Sequence, residues 1–103
     1  MWVAMQDWTF LTNHAVVLVC IARDQRTRLR DIAECAGITE RAAQSLVGDL
    51  CEAGYISRHR VGTRNFYEVH PDLPLRHPIA QEVEAGELLG LFLRRKQETQ
   101  EAA

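Results

Sequence analysis

Gly37-Ile38-Thr39 sits between two stretches of helical apolar spacing and leaves them too little chain to be anything but neighbours. Before it, Leu29, Ile32, Ala33 and Ala36 fall on one helical face, so residues 29–36 read as a helix. Gly37 ends that helix because a residue without Cβ takes the left-handed backbone at little cost. Thr39 follows at once as an N-cap, and Glu40 suits the positive end of the next helix. From Thr39 to Ala53, Ala43, Leu46, Val47 and Leu50 make the i, i+3, i+4, i+7 stripe. Arg41, Ser45, Gly48 and Glu52 point the other way, with Gln44 and Asp49 on the flanks, and Gly54 is the stop. Gly48, in mid-helix, costs about 1 kcal/mol relative to alanine, unless it permits a close approach.

The flanking chain supplies the remaining elements. Asn13 to Arg23 reads as a first helix, capped by Thr12 or Asn13. Its apolar run from Ala15 to Ala22 covers every direction of the wheel, so it needs cover on all sides, from a terminal helix or from a partner chain. Thr27 is the best cap for the helix that starts near Leu29, where Arg28 and Arg30 flank the leucine. Tyr55–Val61 and Arg64–Val69 are rich in β-branched and aromatic residues, and Gly62-Thr63 between them signals a two-residue type II′ hairpin. Pro71, Pro74 and Pro78 then interrupt regular structure. A last helix is expected from Ile79 to about Lys96, with Gly86 and Gly90 either allowing a close helix approach or weakening the helix, and a frayed end from Gln97. Trp2, Trp8 and Phe10 near the start suggest docking onto the body or a second subunit.

Composition bounds the function. The 103 residues make one small domain, 47% hydrophobic and 25% charged, as in soluble globular chains. Such a chain buries only roughly 60–65% of its unfolded surface, so a partner subunit would help it. Trp8–Ala22 is too short and too polar for a membrane span, and no basic residue precedes it as in a secretory signal, so a cytoplasmic chain is expected. Cys20, Cys35 and Cys51 are odd in number, lack CxxC spacing and read as three reduced, half-buried thiols, with a thiol sensor as the other reading. His14, His59, His70 and His77 read as surface or capping groups, and neither they nor the cysteines have metal-ligand spacing, so no metal or other cofactor is expected. No phosphate-cradling glycine loop, HExxH or GxSxG appears, which argues against an enzyme. The net charge of −2 does not announce a nucleic-acid binder, but Ser57–Tyr67 holds Arg58, Arg60 and Arg64 with no acid, a plausible phosphate footprint.

Two helices joined by a three-residue turn with an apolar centre make the helix-turn-helix pattern, and here an arginine-bearing hairpin follows. Over residues 12–70 the sequence resembles the winged helix-turn-helix transcriptional regulators of the MarR-like and ArsR-like kind. The resemblance lies in Leu29-Arg30-Asp31-Ile32-Ala33, in Gly37-Ile38-Thr39-Glu40-Arg41-Ala42-Ala43, in Leu46 through Leu50 to Gly54-Tyr55-Ile56, and in the basic hairpin Arg58–Tyr67. It implies a mainly α fold with a small β-hairpin: a winged helix-turn-helix domain at 12–70, preceded by an arm (1–11) and followed by a Pro-rich link (71–78) and a C-terminal dimerisation helix with tail (79–103).

The resemblance further implies that helix 39–53 enters the major groove of double-stranded DNA and that the wing, 56–69, tracks the backbone or minor groove. Arg41 suits guanine or a phosphate, Gln44 adenine, and Ser45 either role. Arg58, Arg60 and Arg64, with Thr63 at the wing tip, suit phosphates or the minor groove. Thr39 and nearby helix amides suit a phosphate, and Arg28 and Arg30 add phosphate contacts. Asp49 and Glu52 would be repelled by the backbone, so only the N-terminal half of the helix should enter. A homodimeric, nucleoid-associated cytoplasmic regulator is the expectation, its dimer contact made by the first helix, the aromatic arm and the last helix. The rivals are a winged-helix protein-docking module and a sensor answering to a thiol oxidant or an unknown small-molecule effector.

Overall fold

The computed structural model describes the backbone of residues 8–102 and the side chains of residues 8–93. Four helices and one hairpin follow in order: α1 (Asn13–Arg23), α2 (Leu29–Ala36), α3 (Glu40–Ala53), β1 (Ile56–Val61), β2 (Arg64–Val69) and α4 (Ala85–Ala102). The start of α1 is fixed by Thr12, whose hydroxyl accepts from Ala15 N–H, and Thr39 does the same for α3 through Ala42 N–H. Gly37 adopts φ 73° and its N–H, with that of Ile38, satisfies carbonyls at the end of α2. Both signals are local, and at these ends the helices begin and stop where the residue types demand.

The core sits where α1, α2 and α3 meet the hairpin. Val17, Ile21, Ile32, Ala43, Val47 and Ile56 are essentially sealed from solvent. The apolar run of α1 is covered within one chain, because α2, α3, β2 and α4 all pack on it. Of the two covers expected for α1, a terminal helix or a partner chain, α4 supplies the first, and Ala85 and Leu89 are its buried residues among the described side chains.

The hairpin pairs antiparallel from Ile56 opposite Val69 to Val61 opposite Arg64, around Gly62-Thr63. Of the two turn residues only Gly62 has positive φ (65°), which fits the expected type II′ turn. Strand alternation puts Ile56, Arg58 and Arg60 on one face with Val69, Tyr67 and Asn65, and Ser57, His59 and Val61 on the other with Glu68, Phe66 and Arg64. The free edge of β2 is closed by the loop between α1 and α2: the Tyr67 N–H donates to the Gln25 carbonyl at 2.8 Å.

Other expectations change. Cys20 on α1 and Cys35 on α2 form a disulfide, where three reduced thiols were expected; only Cys51 is free. The spacing of 15 residues looked uninformative, yet helix packing brings the two Cα atoms to 6.3 Å. Arg28, not Thr27, is the N-cap of α2, and no side chain caps it. Thr27 is drawn inside, its hydroxyl directed to the Arg28 carbonyl. The last helix starts at Ala85 rather than Ile79 and runs to Ala102 rather than stopping near Lys96. Residues 78–80 form a 3-10 turn instead, because Leu75 N–H bonds the Val83 carbonyl and Ala85 N–H the Leu73 carbonyl. Gly86 does permit a close approach, to Pro71 and not to a helix, while Gly90 faces open space. Trp8 and Phe10 stack edge to face on each other and stay 60% and 92% exposed, so the described residues bury neither ring. Trp2 lies outside the described residues. Among the described residues no helix is long and apolar enough to cross a membrane.

Candidate nucleic-acid interface

The apolar stripe of α3 faces the core and its polar side faces out. Arg41, Gln44 and Ser45 are all exposed in the N-terminal half of the helix, and Thr39 is exposed at its cap. Gly48 is exposed too, and a Cβ there would meet nothing within 4 Å, so no contact inside the chain requires a glycine. The acids lie at the other end. Asp49 is held by His14 Nε2 at 2.8 Å, and Glu52 is one turn further on.

The strand packed against α3 is β1, which carries Arg58 and Arg60. Arg58 stands opposite buried Tyr67. Burial raises the Tyr67 phenol above its ordinary value of 10.0, the Arg58 guanidinium beside the hydroxyl works in the opposite direction, and the Cys51 thiol adds to the rise. The base of the hairpin meets α3 through the packing of β1 on that helix, while Arg60 stays exposed nearer the turn. Thr63 is exposed in the turn itself.

Arg64 belongs to the other face of the hairpin. Its Nη2 donates to the Arg26 carbonyl at 3.1 Å, which ties the hairpin to the loop ahead of α2. Arg28 and Arg30, both exposed, follow on the cap and first turn of α2. The residues singled out from sequence therefore fall into three groups: Thr39, Arg41, Gln44 and Ser45 on α3; Arg58, Arg60 and Thr63 on β1 and the turn; Arg64, Arg28 and Arg30 along the loop side. Arg26, which sequence reasoning passed over, stands in the third group.

The histidines are spread apart. His14 meets Asp49, His59 stacks on Phe66 and bonds Glu68, His70 bonds the Ser57 hydroxyl, and His77 accepts from the Ile79 N–H. Among the described residues no three His, Cys, Asp or Glu side chains are grouped to hold a metal ion. A cleft of about 960 Å³ opens between the start of α1, the end of α3, the link and α4, with Leu18, Leu50, Leu73 and Leu88 in its walls beside His14 and Asp49. It lies at the acidic end of α3, away from Arg41. No protein-family model matches this chain, and no curated protein matches it.

Proposed function

We propose that this chain is a winged helix-turn-helix protein that binds double-stranded DNA in a sequence-specific manner and acts as a homodimeric transcriptional regulator. One observation carries the reading. The base-reading side-chain types Arg41 and Gln44 are exposed on the N-terminal half of a helix whose neighbouring strand bears Arg58 and Arg60. A helix of this width fits the major groove, where arginine pairs with guanine and glutamine with adenine through two hydrogen bonds each. The hairpin, joined to that helix at its base, then tracks the flanking backbone or minor groove. Asp49 and Glu52 keep the C-terminal half of α3 away from phosphates, which sets the direction of docking.

A second copy is drawn in by the exposed apolar groups Trp8, Phe10, Ile79 and Leu91, on the arm, the 3-10 turn and α4. A two-fold dimer reads half-sites centred about 10 bp apart. Selection of bound duplexes from a random pool tests the whole reading. A symmetric enriched motif, with affinity falling steeply as salt rises, is the expected result. No enrichment and a flat salt response would reject it in favour of a protein-docking module. The cleft beside α4 favours one addition, a small-molecule effector held there; a ligand that raises the melting temperature without competing with DNA for Arg41 would place it.

A further inference from the structure

We infer that the loop between α1 and α2 belongs to the phosphate-binding surface, Arg26 joining Arg28 and Arg64 in one cationic ridge along the free edge of the hairpin. This rests on the DNA reading above and extends it to a residue 38 positions from Arg64 in the chain. Two bonds set the loop against β2: the Tyr67 N–H to the Gln25 carbonyl at 2.8 Å, and the Arg64 guanidinium to the Arg26 carbonyl at 3.1 Å. The first is a backbone rung of the kind that adds a strand to a sheet edge. The loop is ordered from its own side as well. Asp24 Oδ1 accepts from the Arg26 N–H at 3.1 Å and the Asp24 carbonyl from the Thr27 N–H at 3.1 Å. Buried Thr27 then anchors the chain between Arg26 and Arg28.

The consequence is electrostatic. Arg26, Arg28 and Arg64 have exposed side chains, and none makes an ion pair among the described residues. The acid nearest in sequence, Asp24, spends an oxygen on backbone. Arg64 gives one donor to a carbonyl and keeps the rest of its five N–H groups. Three guanidinium groups on a fixed edge, none ion-paired among the described residues, suit a row of phosphates, each of which one arginine can hold by two parallel bonds. The partner that presents phosphates in a row is the duplex already assigned to α3, so the ridge lengthens its footprint past the hairpin.

The test uses the full chain and a fluorescent duplex of random sequence, with affinity measured between roughly 50 and 200 mM salt. Arg26→Ala and Arg28→Ala should each reduce the slope of log affinity against log salt by about 0.9, the value for one lost phosphate. Arg26→Lys should keep the slope. Arg26→Ala spares the carbonyl that Arg64 uses, so an unchanged melting curve is expected beside the changed slope. Native slopes in both alanine variants, with a reduced slope in Arg60→Ala, would remove the loop from the footprint and leave the DNA reading standing. A native chain with no salt-dependent duplex binding would overturn both. Equal competition by polyglutamate at matched charge would overturn the assignment of the ridge to phosphates.

Discussion

Opening the Cys20–Cys35 bond should cost this domain about 3 kcal/mol. The bond joins α1 to α2 across a sequence separation of 15, and closing a loop of that length removes about 3 kcal/mol of chain entropy from the unfolded state. For a domain of this size each kcal/mol moves the melting temperature by about 4–8 °C, so the shift should be roughly 12–24 °C. The choice of variant matters. Cys20 is 7% exposed, and a serine there would bury a hydroxyl as well as break the bond. Cys35 is exposed, so Cys35→Ser isolates the cross-link. Thermal melts by circular dichroism, with and without a phosphine reductant, should bring reduced native protein and the variant to the same lower midpoint, and the variant should ignore the reductant. Alkylation under denaturing conditions should label one thiol, Cys51, before reduction and three after it. A native midpoint indifferent to reductant, with three labelled thiols from the start, would refute the reasoning. The same labelling in intact cells bears on compartment, since a glutathione-buffered cytosol keeps most thiols reduced.

Gly86→Ala should lower stability by about 1–3 kcal/mol, because its Cβ would stand 2.8 Å from Pro71 Cβ and 3.0 Å from the Pro71 oxygen; Gly48→Ala, with open space around it, should raise stability by about 1 kcal/mol. Urea midpoints that move in the same direction would contradict this. Tyr67, its phenol raised mainly by burial, keeps its proton longer in the folded state than in the unfolded chain; its contribution is full below pH 10.0 and is lost as pH climbs through the folded value, so stability falls on the alkaline side. Tyr67→Phe should flatten that decline, and parallel alkaline melts of the two proteins would disprove it. Arg41→Ala or Gln44→Ala should cost about 1–3 kcal/mol on the selected site and relax base choice, whereas an equal loss on every duplex would make them positioning residues. Light scattering at micromolar concentration should give twice the chain mass of 11.7 kDa, falling towards 11.7 kDa in Phe10→Ala combined with Leu91→Ala; a monomeric native chain would defeat the dimer.

Elements whose signals are local were legible in the sequence. Thr12 and Thr39 cap the helices they were expected to cap, Gly37 and Gly54 stop them, and Gly62 turns the hairpin. What depended on distant partners was not. Ile79 to Glu84 has helix-compatible apolar spacing, yet its backbone bonds the link at Leu73 and Leu75 before α4 can begin. Thr27 is a good cap by type, but the core claims its side chain. Cys20 and Cys35 meet only because α1 crosses α2. The candidate site divides the same way. The wheel exposes Arg41, Gln44 and Ser45, whereas the grouping of Arg26 with Arg64 needs a loop-to-strand contact that no periodicity marks. A faint sign was present: Arg23, Arg26, Arg28 and Arg30 crowd eight residues, and Asp24 and Asp31 cancel part of that charge in any count along the chain.

The same distinction between count and placement answers the objection from net charge. A total of −2 would discourage a polyanion only if the whole charge acted at one point. The molecule measures 39 × 34 × 31 Å, and at physiological salt charges are screened over about 8 Å. Glu82 and Glu84 lie just ahead of α4 and Glu87 on it, and Asp49 is engaged by His14 at the far end of α3. A duplex laid along Arg28, Arg41, Arg60 and Arg64 would sense those arginines and the acids close to them in sequence, Asp24, Asp31, Glu40 and Glu68, more than the carboxylates of α4. Added salt should therefore weaken duplex binding, even though a chain of this sign is repelled as a whole. Binding that strengthened with salt would mean the distant acids dominate and the local surface does not.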